Sequence, residues 1–321
     1  MILLKLKKYY VSGNTAEGYI DSLATNLHGI EEVIQLDNPS YRVNTAILQQ
    51  LIEQNKDDTP IEVLKSPISA EYLEGVIFRD KQLAILGNRE CPFTNQAYDL
   101  FKKGLRIHDE LEQVFIKEMD FEKADDLAKK YIDELLPVLP DHVNETREPY
   151  IYRRFFGTNT MDGVVNEVPN LISELDLIYH IKGRAGTGKS TFMKRIVKAC
   201  LERGLDLELY HCSFDPNSID MVLVPELKFC LFDSTDPHAF EPIDKSREKV
   251  IDLYEETVTP GTDERYAEEI ENLTKQYKSY MKKGVAALQM EGAEIVAQDT
   301  KRPFDQMEIT ESVNNLQAKL G

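Results

Sequence analysis

The stretch that most restricts what this chain can fold into is Gly183-Arg184-Ala185-Gly186-Thr187-Gly188-Lys189-Ser190, which matches the phosphate-loop pattern G-x-x-x-x-G-K-[ST] at every fixed position. Leu177-Ile178-Tyr179-His180-Ile181, just ahead of it, is a short apolar run that reads as a buried strand. Behind it, Phe192, Ile196, Val197 and Cys200 recur at helical spacing, and Gly204 stands where a helix would stop. Strand, glycine loop and helix in that order predict an α/β fold. A phosphate chain lies against successive backbone amides at a helix N-terminus, which excludes side chains at Gly183, Gly186 and Gly188. On this reading the phosphate-binding set is Gly183, Arg184, Ala185, Gly186, Thr187, Gly188, Lys189, Ser190 and Thr191. Lys189 bridges the β- and γ-phosphates and the Ser190 hydroxyl ligates Mg²⁺. The expected ligand is ATP with Mg²⁺, although no base-reading motif is visible.

A second pattern is an internal repeat. Asn14-Thr15 and Gly18 match Asn159-Thr160 and Gly163 at one offset, 145 residues (159 − 14). The register runs on without a gap: Leu23 with Val168, Leu27 with Ile172, Val33 with Ile178, Leu48 with Met193, Leu51 with Ile196, Ile52 with Val197. It sets Asn38, Tyr41 and Val43 where Gly183, Gly186 and Gly188 stand, and Asn44 where Lys189 stands. Side chains fill that cradle, so the first half is read as a degenerate phosphate-loop domain.

Downstream the halves stay parallel with the offset one residue longer. Ile61 to Leu64 and Leu207 to Tyr210 are the next strands. Val76 to Phe78 and Val222 to Val224 then start β-hairpins that return through Leu83 to Leu86 and Phe229 to Phe232. The last run ends in Asp233, the expected acid that orients Mg²⁺ beside the loop; Gly87 stands at that place in the first half. Catalytic duty is therefore assigned to Lys189 and Asp233, and metal binding to Ser190 and Asp233.

Each half continues into long helices. Leu111, Val114, Phe115, Phe121, Ala124, Leu127, Tyr131 and Leu135 form stripes on either side of a break near Met119-Asp120, which predicts a helical hairpin. Tyr266, Ile270, Leu273, Tyr277 and Tyr280 form a heptad-like seam, and the polar tail after Pro303 ends in an amphipathic helix without an assigned partner. With Pro137, Pro140 and Pro149 marking a linker, the expected division is 1–138 for the degenerate domain with its arm, 139–150 for the linker and 151–321 for the intact domain with its arm.

A net charge of −18 argues against nucleic-acid or anionic-membrane partners. No stretch approaches the length of a membrane span, and the apolar run at Met1 is too short for a signal peptide. Cys91, Cys200, Cys212 and Cys230 lack metal-ligand spacing and suit a reducing compartment, so a cytoplasmic location is expected. His211, Asp215 and His238 follow strands near the loop, where ligands of open α/β sheets bind. Each is a candidate to position water or a phosphate acceptor, and also a plausible strand-end structural residue. Arg184, inside the loop, and Arg153-Arg154, just before the repeat, are candidates to reach phosphate, with exposed surface arginine as the default reading.

Taken with Asn159-Thr160 and the glycine loop, the segments His211-Cys212-Ser213-Phe214-Asp215-Pro216-Asn217-Ser218, Val224-Pro225-Glu226-Leu227 and Phe232-Asp233-Ser234-Thr235-Asp236 make the chain resemble bacterial two-halved P-loop proteins described as ATPases or ATP-binding proteins. The resemblance spans nearly the whole chain. The repeat and the helical stripes predict α/β architecture with tandem duplicated P-loop NTPase-like domains and helical-hairpin arms, and the core pattern kept from Leu23 to Ile52 predicts that the halves dock as an intramolecular pseudo-dimer. In that family the first half often keeps its own glycine loop and a segment after the first hairpin; both are missing here, which implies a single working nucleotide site. ATP hydrolysis coupled to a conformational change is the leading expectation. A small-molecule or nucleotide kinase and a non-hydrolysing ATP-binding scaffold are the alternatives.

Overall fold

The structure, a computed structural model, describes residues 5–136, 148–237 and 239–320. Through residue 136 the elements are β1 (Leu6–Tyr9), β2 (Ser12–Thr15), β3 (Gly18–Asp21), α1 (Leu23–Asn26), β4 (Glu32–Gln35), α2 (Tyr41–Asn55), β5 (Ile61–Lys65), β6 (Leu73–Phe78), β7 (Leu83–Leu86), α3 (Asn95–Ile116) and α4 (Phe121–Leu135). Then follow β8 (Ile151–Arg154), β9 (Gly157–Thr160), β10 (Gly163–Asn166), α5 (Val168–Leu171), β11 (Leu177–Lys182), α6 (Lys189–Leu201), β12 (Leu207–His211), β13 (Ile219–Val224), β14 (Phe229–Asp233), β15 (Glu248–Asp252), α7 (Leu253–Thr257), α8 (Thr262–Arg265), α9 (Ala267–Thr300) and α10 (Gln306–Leu320). The chain is mixed α/β. Among the described residues no helix is long and apolar enough to cross a membrane.

The elements form two compact units built from discontinuous segments. Unit 1 comprises Met1–Tyr98, Phe155–Glu174 and Gly284–Gly321; unit 2 comprises Asp99–Arg154 and Leu175–Lys283. This partition differs from a cut into consecutive halves, and of the expected linker 139–150 only residues 148–150 are among those described.

Unit 2 holds a six-stranded sheet of order β15-β11-β14-β13-β12-β8. β11 runs parallel to both neighbours, β14 and β15, whereas β13 is antiparallel to both of its own. A central strand covered on both faces reads as a continuous apolar run, as in Ile178-Tyr179-His180-Ile181, all buried. Phe192, Met193 and Ile196 of α6 join Tyr179 and Ile181 of β11 in the core. Ala128 and Leu135 of α4 lie in the same cluster, and Arg195 of α6 pairs with Asp125 of α4. The predicted break is real: Asp120 caps α4, its carboxylate accepting from Lys123 N at 3.1 Å. The helix that packs on α6 therefore comes from the sequence half that does not contain α6.

Unit 1 repeats the order with one strand fewer, β1-β5-β6-β7-β4. The β5/β6 pair slips register between Leu64 and Lys65, and β12/β13 slips at the matching place, between Tyr210 and His211. Two further hairpins, β2/β3 and β9/β10, lie in this unit and meet through residues that are counterparts in the 145-residue register. Tyr10 N donates to Phe155 O at 3.0 Å while Phe155 N donates to Tyr10 O at 2.8 Å. Asn14 Nδ2 donates to Asn159 O at 2.7 Å while Asn159 Nδ2 donates to Asn14 O at 3.1 Å.

The polar tail helix finds its partner here. Ile309, Val313, Leu316 and Leu320 repeat at steps of four and three, and they bury against Val43, Ile47, Leu48 and Leu51 of α2. Ile309 is 1% exposed. Replacing it by Ala in the full chain is expected to cost about 2–4 kcal/mol in urea unfolding, as for a filled core site. A loss below about 0.5 kcal/mol, the range of a surface substitution, would show that α10 is not docked on α2.

Candidate functional site

The site is built at the C-terminal end of β11. Gly183, Gly186 and Gly188 have φ of +154°, +74° and +80°, a region that L side chains rarely adopt. A Cβ on Gly183 would fall on Thr187 Oγ1. The chain turns sharply there, Thr187 Oγ1 donating to Arg184 O at 2.9 Å, and α6 starts at Lys189 with Gly188 as its N-cap. The far end closes as the sequence indicates: Gly204 takes φ +70° and Leu205 N donates to Cys200 O at 3.1 Å.

At the register counterpart the backbone behaves differently. α2 begins at Tyr41, which the offset sets against Gly186, whereas α6 begins only at Lys189. Without glycines the left-handed turns are unavailable, so the stretch coils into helix three residues earlier. Ser40 caps it, accepting from Val43 N at 3.2 Å. Asn44, fully buried, donates from Nδ2 to Asn38 O at 2.8 Å.

Within the loop of unit 2, Lys189 Nζ donates to Arg184 O at 2.8 Å and lies 3.7 Å from Asp233 Oδ2. Asp233 ends β14 directly beside β11, in register with Ile181. Its Oδ1 accepts from Thr235 N at 3.0 Å and Thr235 Oγ1 at 2.6 Å. Ser190 Oγ accepts from Ile219 N at 3.0 Å, which fixes the hydroxyl at the start of β13. Thr191 is exposed on the first turn of α6.

The next residue of β13, Asp220, was not singled out from the sequence. The β13/β14 register pairs Met221 with Phe232 and so brings Asp220 beside Asp233. Burial, followed by the charge of Asp233, pushes the Asp220 carboxyl up. A signal for it existed: an acid heading an otherwise apolar buried strand in both halves. Its counterpart, Glu74 on β6, is 2% exposed, accepts from Ser12 Oγ at 2.7 Å and pairs with Arg89 at 3.4 Å.

Also unforeseen was the part taken by α3. Ala185 packs with Leu111, Val114 and Phe115 of α3 and Ile270 and Leu273 of α9. Met119 lies 3.2 Å from the Cβ position of Gly188. His108 stands edge-on to Phe214 and Tyr277, and its Nδ1 is 3.7 Å from Glu112 Oε1. Burial and then the charge of Lys189 push His108 down to about 4, which leaves it neutral at pH 7. His108, Glu112 and the other α3 residues are more than sixty positions from the loop, so no local pattern connects them to it.

Several candidates are engaged elsewhere. Arg184 pairs with Asp263 at 2.9 Å and stacks on Tyr254, its guanidinium 4.8 Å from the ring centre. Arg154 is buried against Glu208 at 2.8 Å. His211 Nδ1 faces the Pro216 carbonyl at 2.8 Å and must donate to it, so Nε2 accepts from Arg153 at 3.0 Å. Asp215 holds its own turn, accepting from Ser218 Oγ at 2.7 Å and Asn217 N at 3.1 Å. His238 lies outside the described residues.

The glycines are required by what surrounds them: Thr187 Oγ1 at Gly183, the Glu112 backbone at Gly186 and the Met119 side chain at Gly188. Ser190, Asp233 and Asp220 are a hard oxygen donor set of the kind that suits Mg²⁺. With Asp215, Asp109 and Glu112 nearby, the surroundings carry an excess of carboxylates that a bare polyphosphate would meet unfavourably. No family model, curated protein or solved structure matches this chain.

The paired acids give a pH test. Burial pushes Glu74 up to about 7 against the pull of Arg89 and Ser12. The folded protein thus keeps a proton that the unfolded chain releases near 4.5; over that window the folded state binds more protons and stability falls as pH rises. Glu74→Gln removes the titration. Its stability relative to the parent should rise by on the order of 2–3 kcal/mol between pH 4.5 and pH 7.5, read from paired urea melts. A difference that stays flat across that range would refute the assignment.

Proposed function

We propose that the loop at 183–191 binds ATP as its Mg²⁺ complex and hydrolyses it, at one site per chain. The observation that carries the reading is the left-handed glycine loop between a central parallel strand and α6, with Lys189, Ser190 and Asp233 converging on it. Amides at a helix N-terminus favour anions through unmade hydrogen bonds and the helix dipole. Lys189 exchanges the Arg184 carbonyl for phosphate oxygens. Ser190 and Asp233, with Asp220 behind them, would hold a Mg²⁺ ion, which would supply positive charge to the phosphate oxygens. In the reaction water adds to the γ-phosphorus, the bond to the β,γ-bridging oxygen breaks, and ADP and phosphate leave.

The same reading takes the chain as a duplicated pair of P-loop-like domains joined as a pseudo-dimer. It is supported by the common strand order, by the matching register slips, and by the reciprocal bonds of Tyr10 with Phe155 and Asn14 with Asn159. Counterparts that bond to each other reciprocally are the mark of a self-complementary contact. The early start of α2 and the presence of Asn44 in place of Lys189 support a single nucleotide site. Four cysteines, none in a disulfide, suit the reducing cytoplasm.

Lys189→Ala should weaken ATP binding at least tenfold through loss of a charge-assisted contact, while Asn44→Ala leaves it within twofold; calorimetric titration reads both. Equal losses at the two positions would sink the single-site assignment. Asp233→Asn should reduce Mg²⁺-dependent phosphate release by about a hundredfold and metal-free ATP binding by less than threefold. Unchanged Mg²⁺ dependence in that variant would move the acid elsewhere. Phosphate release that requires an added acceptor would make the protein a kinase instead.

A further inference from the structure

The chain passes from β14 to β15 across β11, which lies between them in the sheet of unit 2. Both strands run parallel to β11, and a parallel connection is usually a helix, held to the sheet by its apolar stripe. Here the described residues of 234–247 form neither helix nor strand, so a stripe cannot hold them.

A buried imidazole holds them instead. Tyr179 and Ile181 of β11 lie in the core with α6, and strand alternation sends His180 to the opposite face of the sheet. It is 1% exposed there, its ring centre 4.7 Å from that of Phe232. Nδ1 lies 3.3 Å from Ser234 Oγ and 3.2 Å from Phe240 O, and Nε2 lies 3.0 Å from Glu248 Oε2. Each partner fastens a further part of the connection. Ser234 Oγ donates to Phe240 O at 2.7 Å and accepts from Phe240 N at 3.1 Å. Glu248 accepts from Ile243 N at 3.1 Å and from Asp244 N at 3.2 Å. One ring thus gathers the start, the middle and the end of the crossover.

Serine, histidine and glutamate in line are also the parts of a hydrolytic triad. Ser234, however, is 0% exposed and gives its hydroxyl hydrogen to Phe240 O, so no substrate reaches it and the group serves to hold rather than to react. What it holds adjoins the site at two points. Ser234 directly follows Asp233, and its amide donates to Ile181 O at 2.9 Å. Lys182, the residue before Gly183, donates to the same Phe240 O at 3.2 Å.

We propose that His180 is a positioning residue for the metal-binding acid: through Ser234 and Glu248 it anchors the crossover and so keeps the Asp233 carboxylate beside Lys189, at 3.7 Å. The effect on turnover rests on the nucleotide reading above; the lock itself does not. A group that serves a metal has to be held to within about 0.5 Å, and a misplacement of about 1 Å can cost a rate about a hundredfold.

The test uses the full chain with ATP and Mg²⁺. Ser234→Ala removes the hydroxyl, and His180→Gln keeps a donor for Glu248 while giving up the Ser234 side; two variants that cut one link guard against a fold lost in either. Both should raise the Mg²⁺ concentration for half-maximal phosphate release about tenfold and leave metal-free ATP binding within about twofold. In an Asp233→Asn background Ser234→Ala should change phosphate release by less than about twofold, because the two changes act through one group. Amide hydrogen exchange at Phe240, Ile243 and Asp244 should be slow in the parent and faster in both variants, with or without ATP. Metal-free ATP binding that falls as far as turnover, or a full further loss on top of Asp233→Asn, overturns the positioning role. Exchange at those three amides that is no faster in either variant overturns the lock. A parent protein that shows the lock by exchange yet neither binds ATP nor releases phosphate overturns the nucleotide reading, and the positioning role falls with it.

Discussion

β11 is hydrogen-bonded on both sides, to β14 and to β15, and this double pairing fixes where the chain leaves the sheet before any loop side chain is considered. A strand held on one side can twist or fray; a strand held on both delivers its last residue to one place. Lys182 hands the chain to Gly183 there, and three residues in left-handed or related conformations turn it into α6. The same parallel pairing brings the end of β14 level with the end of β11, so Asp233 arrives beside Lys189 without any contribution from the loop. The register of β13 on β14 then adds Asp220. Loop, lysine and acids are thus consequences of one sheet order.

What could be read from the sequence was whatever repeats over a short distance. The glycine loop, the strand at Leu177 to Ile181, both hairpins, the helix stop at Gly204 and the break before α4 each depend on a dozen residues or fewer, and each is found. β15 escaped because an edge strand needs little apolar surface: in Glu248–Asp252 two of five residues are buried and two exposed. Asp220 escaped because an acid beside a turn resembles a solvated acid until the sheet register is known. His108 and Glu112 could not be placed at all, since their relation to the loop exists only after α3 has packed across it. The partner of α10 was hidden for the same reason. Its stripe was plain, but which helix receives the stripe is a property of topology.

The helix following each loop position, α6 or α2, is covered by a helix drawn from the other sequence half. Neither half is thus complete by itself, since each lacks the apolar cover that the other carries. α4 contributes Ala128 and Leu135 to one core, and α10 contributes Ile309, Val313, Leu316 and Leu320 to the other. Exchange of this kind ties the halves of the sequence together: an arm of the first rests on the glycine loop of the second, and α2 requires the arm that the second half extends.

The bond between Asp299 and Tyr41 spans 258 residues of chain, and this has a consequence for how the protein is made. Ribosomes add about 5–20 residues per second, so α2 emerges tens of seconds before the acid that satisfies its first turn. During that interval its amides face water, and the apolar stripe that α10 will cover lies open. The segment synthesised first therefore completes its unit only when residues 284–320 arrive, and unit 2, whose segments end at Lys283, has all of its parts before unit 1 does. For a chain built this way, the exposed face of α2 is what a nascent-chain chaperone would meet.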